Sequence, residues 1–154
     1  DPFGLGHMGI TAENVAADYD ITREAMDEFA LASQQRAAAA IEKGYFTEQI
    51  APVELKTRRE VKVFTTDEHP RGDTSLESLS SLRAAFAKDG AVTAGNSSGI
   101  NDGAAALILS DEASAKSRNR APLAKIIAYG FGGVPARIMG MGPVPASQMA
   151  LERS

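Results

Sequence analysis

Gly95-Asn96-Ser97-Ser98-Gly99 spells G-x-S-x-G, the turn in which a serine hydrolase presents its nucleophile. That chemistry needs a strand before the serine, a helix after it, and a base histidine later in the chain. Both histidines, His7 and His69, lie upstream, and Ile100-Asn101-Asp102-Gly103 reads as a further turn. The order fails, which leaves Ser97 without a partner for a nucleophile's role. A second spelling, Gly4-Leu5-Gly6-His7-Met8-Gly9, matches G-x-G-x-x-G. A dinucleotide fingerprint requires a strand just ahead of it, and none is visible in Asp1-Pro2-Phe3. The segment reads instead as a loop feeding a helix, or as one that points His7 and Met8 into a pocket. Asp67, Glu68 and His69 are adjacent in a loop with no second ligand cluster, so no metal site is expected. Arg71, just before Gly72, is better suited to a ligand phosphate or base. Asn96-Ser97-Ser98 also spells a glycosylation acceptor, but nothing marks the chain as secreted.

The 154 residues are 44% hydrophobic and 23% charged, a globular rather than a disordered composition. A net charge of −4 argues against nucleic acid or an acidic membrane as the main partner. With no cysteine, the chain holds no disulfide, no thiolate nucleophile and no Cys-type zinc site. No apolar run approaches a membrane span and no signal-like N-terminus is visible, so a cytoplasmic location is expected. The chain opens without a Met and closes on Ala150-Leu151-Glu152-Arg153-Ser154, which reads as a helix cut before its cap. The expectation is a fragment of a longer protein.

The elements that must position these residues follow from period and caps. Thr11 is expected to cap a short helix over 12–19, with Glu13 in its first turn. Thr22 is expected to cap a long helix from Arg23 to Lys43, ended by Lys43-Gly44. Its apolar face would carry Met26, Phe29, Ser33, Ala37, Ala40 and Ile41, with Arg23, Glu24, Asp27, Gln34 and Gln35 mostly elsewhere. Residues 51–64 switch to period two and predict a β-hairpin with one polar face. Its basic tip of Lys56, Arg58, Arg59 and Lys62 is either a solvated edge or an anion site for a phosphate-rich ligand. Residues 75–88 predict a helix in two pieces, over 75–81 and 82–87. Thr93–Ala106 reads as a loop that closes tightly over something, followed by a buried strand at Leu107-Ile108-Leu109. A helix over Asp111–Arg118, a strand over Leu123–Tyr129, a loop over Met139–Pro145 and a last helix over 146–154 complete an α/β pattern.

Several stretches together resemble one family. His7-Met8-Gly9-Ile10-Thr11-Ala12-Glu13-Asn14-Val15-Ala16, Ala32-Ser33-Gln34, Val92 through Ala106, Met141-Gly142-Pro143-Val144-Pro145-Ala146-Ser147 and Ala150-Leu151-Glu152-Arg153 resemble the thiolases, the acetyl-CoA acetyltransferases, in register from end to end. The His-Met-Gly spelling is closer to the biosynthetic members than to the degradative long-chain ones.

The resemblance implies an α/β fold: an α+β loop domain plus part of the layered α-β-α thiolase fold. It implies that 1–99 is most of the CoA-binding loop domain. Residues 100–122 would be the last strand and helix of the N-terminal half, and 123–154 the start of the C-terminal half. It implies a reversible Claisen condensation of acyl-CoA thioesters in the full-length protein, with coenzyme A or acetyl-CoA as substrate and no tightly bound cofactor. The chemistry needs a thiolate, a base and oxyanion donors. In the family these come from a Cys ahead of this region and from Asn-Glu-Ala-Phe, Gly-His-Pro and Cys-Gly-Gly motifs after it, so no catalytic residue is expected here. By resemblance, Ser98 and Ala94 line the pantetheine tunnel, His7 and Met8 wall the acyl end, and Arg71, Ser78 and Phe86 surround the adenine-ribose-phosphate portion. The resemblance also implies a homo-oligomer, a dimer or tetramer. The alternative is a non-catalytic, thiolase-like CoA-binding or scaffold protein.

Overall fold

The computed structural model describes residues 6–154, so Gly4 and Leu5 of the glycine-rich spelling lie outside the described residues. The chain divides into two units. One is Ala16–Gly99; the other joins the residues up to Val15 with Ile100–Ser154.

Helix α1 runs Met8–Asp18, starting ahead of the expected 12–19. The reason is His7, whose carbonyl accepts from Ile10 N at 2.9 Å and whose Nδ1 accepts from Gly9 N at 3.0 Å. Thr11 is therefore not a cap. It sits buried inside the helix, its hydroxyl donating back to Met8 O at 2.7 Å. Glu13 consequently falls outside the first turn, which holds no acidic residue.

Helix α2 runs Arg23–Glu42 with Thr22 as N-cap, its side chain accepting from Ala25 N at 3.2 Å. It ends as Lys43-Gly44 predicts. Gly44 takes φ +70°, Tyr45 N donates to Ala40 O, and Gly44 N donates to Ile41 O. The expected apolar face is wrong in part. Phe29 is 74% exposed, whereas Asp27 is buried at 3%. The stripe Arg23, Asp27, Gln34, Ala38 faces the packed side, because polar groups there find partners that an apolar stripe could not serve.

Strands β1 (Val53–Lys56) and β2 (Val61–Phe64) form the expected antiparallel hairpin. Its register pairs Val53 with Phe64 and Leu55 with Lys62, while Glu54 meets Val63 and Lys56 meets Val61. Both faces are thus mixed, and the expected single polar face is not formed, since each polar β1 residue stands opposite a valine of β2.

Helix α3 is short, Leu76–Ser80, opened by a capping box between Ser75 and Ser78. The expected second piece over 82–87 is not helical. Ala84 bridges Thr93, and Ala85 N donates to Val92 O at 2.9 Å, so the chain doubles back through a turn closed from Ala87 O to Gly90 N.

In the other unit, α4 runs Glu112–Ser117, capped by Asp111. The Ser114 backbone N–H, and next its hydroxyl, hold the Asp111 carboxyl below its ordinary 3.8. The last helix, α5 (Pro143–Arg153), starts earlier than 146. Proline suits its first positions, where no intrahelical N–H is needed. A 3₁₀ segment, Ala136–Met141, precedes it in place of the expected loop. Arg153 returns to the chain ahead of α5, donating to Tyr129 O at 3.1 Å.

Neither Leu107-Ile108-Leu109 nor Leu123–Tyr129 is a strand, and the former is exposed, with Ile108 at 99%. A strand exists only where neighbours take up its N–H and C=O groups. Among the described residues the one sheet is β1–β2.

The end of α2 gives a stability prediction. Gly44→Ala forces a side chain into the left-handed region and should cost about 1–2 kcal/mol. Urea denaturation measures this; an unchanged midpoint would contradict the cap.

Candidate functional site

The candidate site in Ala16–Gly99 is the turn Thr93–Ser98 and the apparatus beneath it. Thr93 is wholly buried at 0% and Val92 nearly so. Their backbone pairs with 84–85 on one side. The turn closes on its own side chains: Thr93 N donates to Asn96 Oδ1 at 2.7 Å, Gly95 N to Thr93 Oγ1 at 3.1 Å, and Ser97 Oγ to Thr93 O at 2.7 Å. Ser97 is therefore a turn-closing donor, consistent with the failed hydrolase order.

Gly95 fits because its backbone lies on α3. A Cβ there would meet Leu79 Cδ2 at 2.5 Å and Leu82 Cδ1 at 2.6 Å. That contact seats the turn on the C-terminal end of α3, where Leu79 is buried.

The charged stripe of α2 locks the arrangement. Arg23 Nε donates to Asp27 Oδ2 at 2.8 Å. Its Nη2 donates to the carbonyl of Leu79 at 2.6 Å, which also accepts from Leu82 N, and to that of Leu82 at 3.1 Å, just past the end of α3. The other carboxylate oxygen, Asp27 Oδ1, accepts from Asn96 Nδ2 at 3.0 Å, and that same amide donates to Ala91 O at 3.0 Å. One buried carboxylate thus joins α2, through Arg23, to α3, and through Asn96 to the 91–97 turn.

The expected site residues fall around this frame. Ala94 and Ser98 are exposed at the two ends of the turn. Ser78 sits on α3 next to Leu79, its hydroxyl donating to Ser75 O at 2.8 Å within the cap. Phe86 is half-buried in the 84–93 double-back. Arg71 is exposed, and its backbone N donates to Gln34 Oε1 of α2 at 2.8 Å, with Gly72 beside Ala38. Those five share one unit. His7 and Met8 belong to the other, at the start of α1, both exposed. Arg23, Asp27 and Asn96 were not singled out by sequence reasoning. The available signal was the (i, i+4) Arg-Asp pair, placed off the helix's apolar face.

Among the described residues no group of His, Cys, Asp and Glu could hold a metal. A half-open cleft of about 370 Å³ lies away from the turn, between Phe46–Ala51 and the hairpin base at Phe64–Asp67.

Residues 1–113 match the thiolase N-terminal domain family. This chain belongs to the thiolase family. It is 58% identical to the acetyl-CoA acetyltransferase of Escherichia coli over 95% of its own length and 37% of that protein's. It superposes on the crystal structure of the Bacillus anthracis acetyl-CoA acetyltransferase with a TM-score of 0.90 at 52% identity, covering 99% of this chain and 39% of that one. The human mitochondrial 3-ketoacyl-CoA thiolase in complex with CoA matches with a TM-score of 0.88 at 46% identity, over 99% of this chain and 38% of that one. The thiolase chain described here thus spans under two-fifths of the length of these relatives. It is a segment of the α/β thiolase fold, the fold class expected from the sequence.

Removing the carboxylate should cost much of the unit's stability. Asp27→Ala leaves Arg23 and Asn96 each short of an acceptor in a part-buried setting and should cost about 2–4 kcal/mol. Chemical denaturation tests this; a loss of under about 0.5 kcal/mol, the level of an exposed helical pair, would contradict the buried lock.

Proposed function

We propose that this thiolase segment supplies the CoA-holding surface of an acetyl-CoA C-acetyltransferase, which condenses acyl-CoA thioesters reversibly in the complete polypeptide. The observation that carries the proposal is the Thr93–Ser98 turn. Its closing residues are consumed by internal hydrogen bonds, yet Ala94 and Ser98 are left exposed at its ends. A methyl and a hydroxyl on a rigid turn suit the pantetheine arm, which is apolar with a few polar groups. The likeness to a thiolase solved with CoA supports the same ligand class.

In this reading Ser98 and Ala94 line the pantetheine path. Arg71 offers a guanidinium to phosphate, Phe86 an aromatic face to adenine, and Ser78 a polar edge to the ribose-phosphate portion. His7 and Met8 wall the acyl end. CoA and its thioesters are substrates. The thiolate that carries the acyl group comes from outside this segment, which has no cysteine. The whole protein works as a homo-oligomer in the cytoplasm. No helix among the described residues is long and apolar enough to cross a membrane.

Ser98→Tyr in the complete protein should fill the pantetheine path. Steady-state thiolysis of acetoacetyl-CoA should show KM for CoA raised at least about tenfold, the loss of roughly 1.4 kcal/mol of binding. Unchanged kinetics would refute the placement of Ser98. CoA binding without acyl transfer in the unmodified protein would point instead to a thiolase-like binding or scaffold protein.

A further inference from the structure

We propose that Asp27, acting with Arg23 and Asn96, is a positioning residue for coenzyme A: it sets the height and tilt of the turn that presents Ala94 and Ser98. The inference rests on the CoA-surface reading above and adds residues that touch no ligand.

Asn96 links the turn to α2. Its Oδ1 accepts the Thr93 N–H, while its Nδ2 donates to both Asp27 Oδ1 and Ala91 O. A flipped amide would set a donor against the Thr93 N–H and an oxygen against two acceptors. The side chain therefore has one orientation, fixed by partners on both sides. Ser98 lies two residues beyond it, and Ser97 between them is tied to Thr93 O. The exposed Ser98 thus follows a short segment tied by these bonds, whose other end is the Asp27 carboxylate.

Asp27 is itself fixed. Its second oxygen is held by Arg23 Nε, while Arg23 Nη2 donates to Leu79 O and to Leu82 O just past α3. Ser78, expected near the adenine-ribose-phosphate portion, precedes Leu79 on that helix. The turn bearing Ser98 and the helix bearing Ser78 are therefore both tied to one buried carboxylate, beside the Gly95 contact with Leu79 and Leu82. A change at Asp27 or Asn96 should reach the ligand through geometry rather than through lost contact, and a displacement of about 1 Å is enough to cost binding or rate heavily.

The test uses the complete protein that carries this chain, assayed for thiolysis of acetoacetyl-CoA with CoA varied. Asn96→Asp changes one atom group and turns an oxygen toward Asp27 and Ala91 O. Asp27→Asn is milder, since one of its two bonds to Arg23 and Asn96 must become donor against donor. Both variants should raise KM for CoA, about tenfold for Asn96→Asp and about threefold for Asp27→Asn, with kcat per folded enzyme within about twofold. A merely structural role predicts a lower Tm and less folded enzyme at unchanged KM, and that result for Asp27→Asn would overturn the proposal even if Asn96→Asp fails to fold. Ser98→Tyr separates the two levels. If it blocks CoA while Asp27→Asn leaves KM untouched, the positioning role fails alone; if it leaves the kinetics untouched, the CoA-surface reading fails with it.

Discussion

Residues 16–99 are organised by a carboxylate that has left water. The Asp27 side chain, in a site only 3% exposed, is tolerable because each of its oxygens meets a donor: Arg23 on one and Asn96 on the other. Those donors belong to different parts of the chain. Arg23 shares the first turns of α2 with Asp27 and also donates to the carbonyls of Leu79 and Leu82, in and just past α3. Asn96 belongs to the turn and also holds Ala91 and Thr93. Among the described residues, the buried hydrophobic side chains of this unit are Ala16, Leu79 and Val92.

The same constraint explains which residues are left for a ligand. Thr93 and Ser97 spend their hydroxyls inside the turn, Asn96 spends its amide on Thr93 N, Ala91 O and Asp27, and Gly95 lies on Leu79 and Leu82. Ala94 and Ser98 alone within it are turned outward. The division of labour resembles a bracket and its shelf. It also explains why the nucleophile spelling around Ser97 is empty of chemistry: that hydroxyl already donates to a backbone carbonyl.

The sequence was most legible where a signal is local. Thr22 and Lys43-Gly44 marked both ends of α2, the period-two run marked the hairpin, and the motif around Thr93–Ala106 marked the thiolase family. It was least legible where the outcome depends on residues far away in the chain. Asp27 was placed off the apolar face of α2, and its partner Asn96 lies 69 positions on. The 82–87 run had helical composition but lost to pairing with Val92 and Thr93. Thr11 looked like a cap, but His7 satisfied the first donors of α1 sooner. The Leu-Ile-Leu and Leu123–Tyr129 runs have strand composition, yet a strand needs neighbours and composition cannot supply them.

Hydrogen exchange on the complete protein, read by mass spectrometry with and without saturating CoA, tests the central claim most directly. Bound pantetheine against a pre-formed turn predicts added protection at Gly95–Ser98 and in α3, while 84–93 is already slow to exchange without ligand. Unchanged exchange over Gly95–Ser98 on CoA binding, with protection appearing only elsewhere in the protein, would contradict the account.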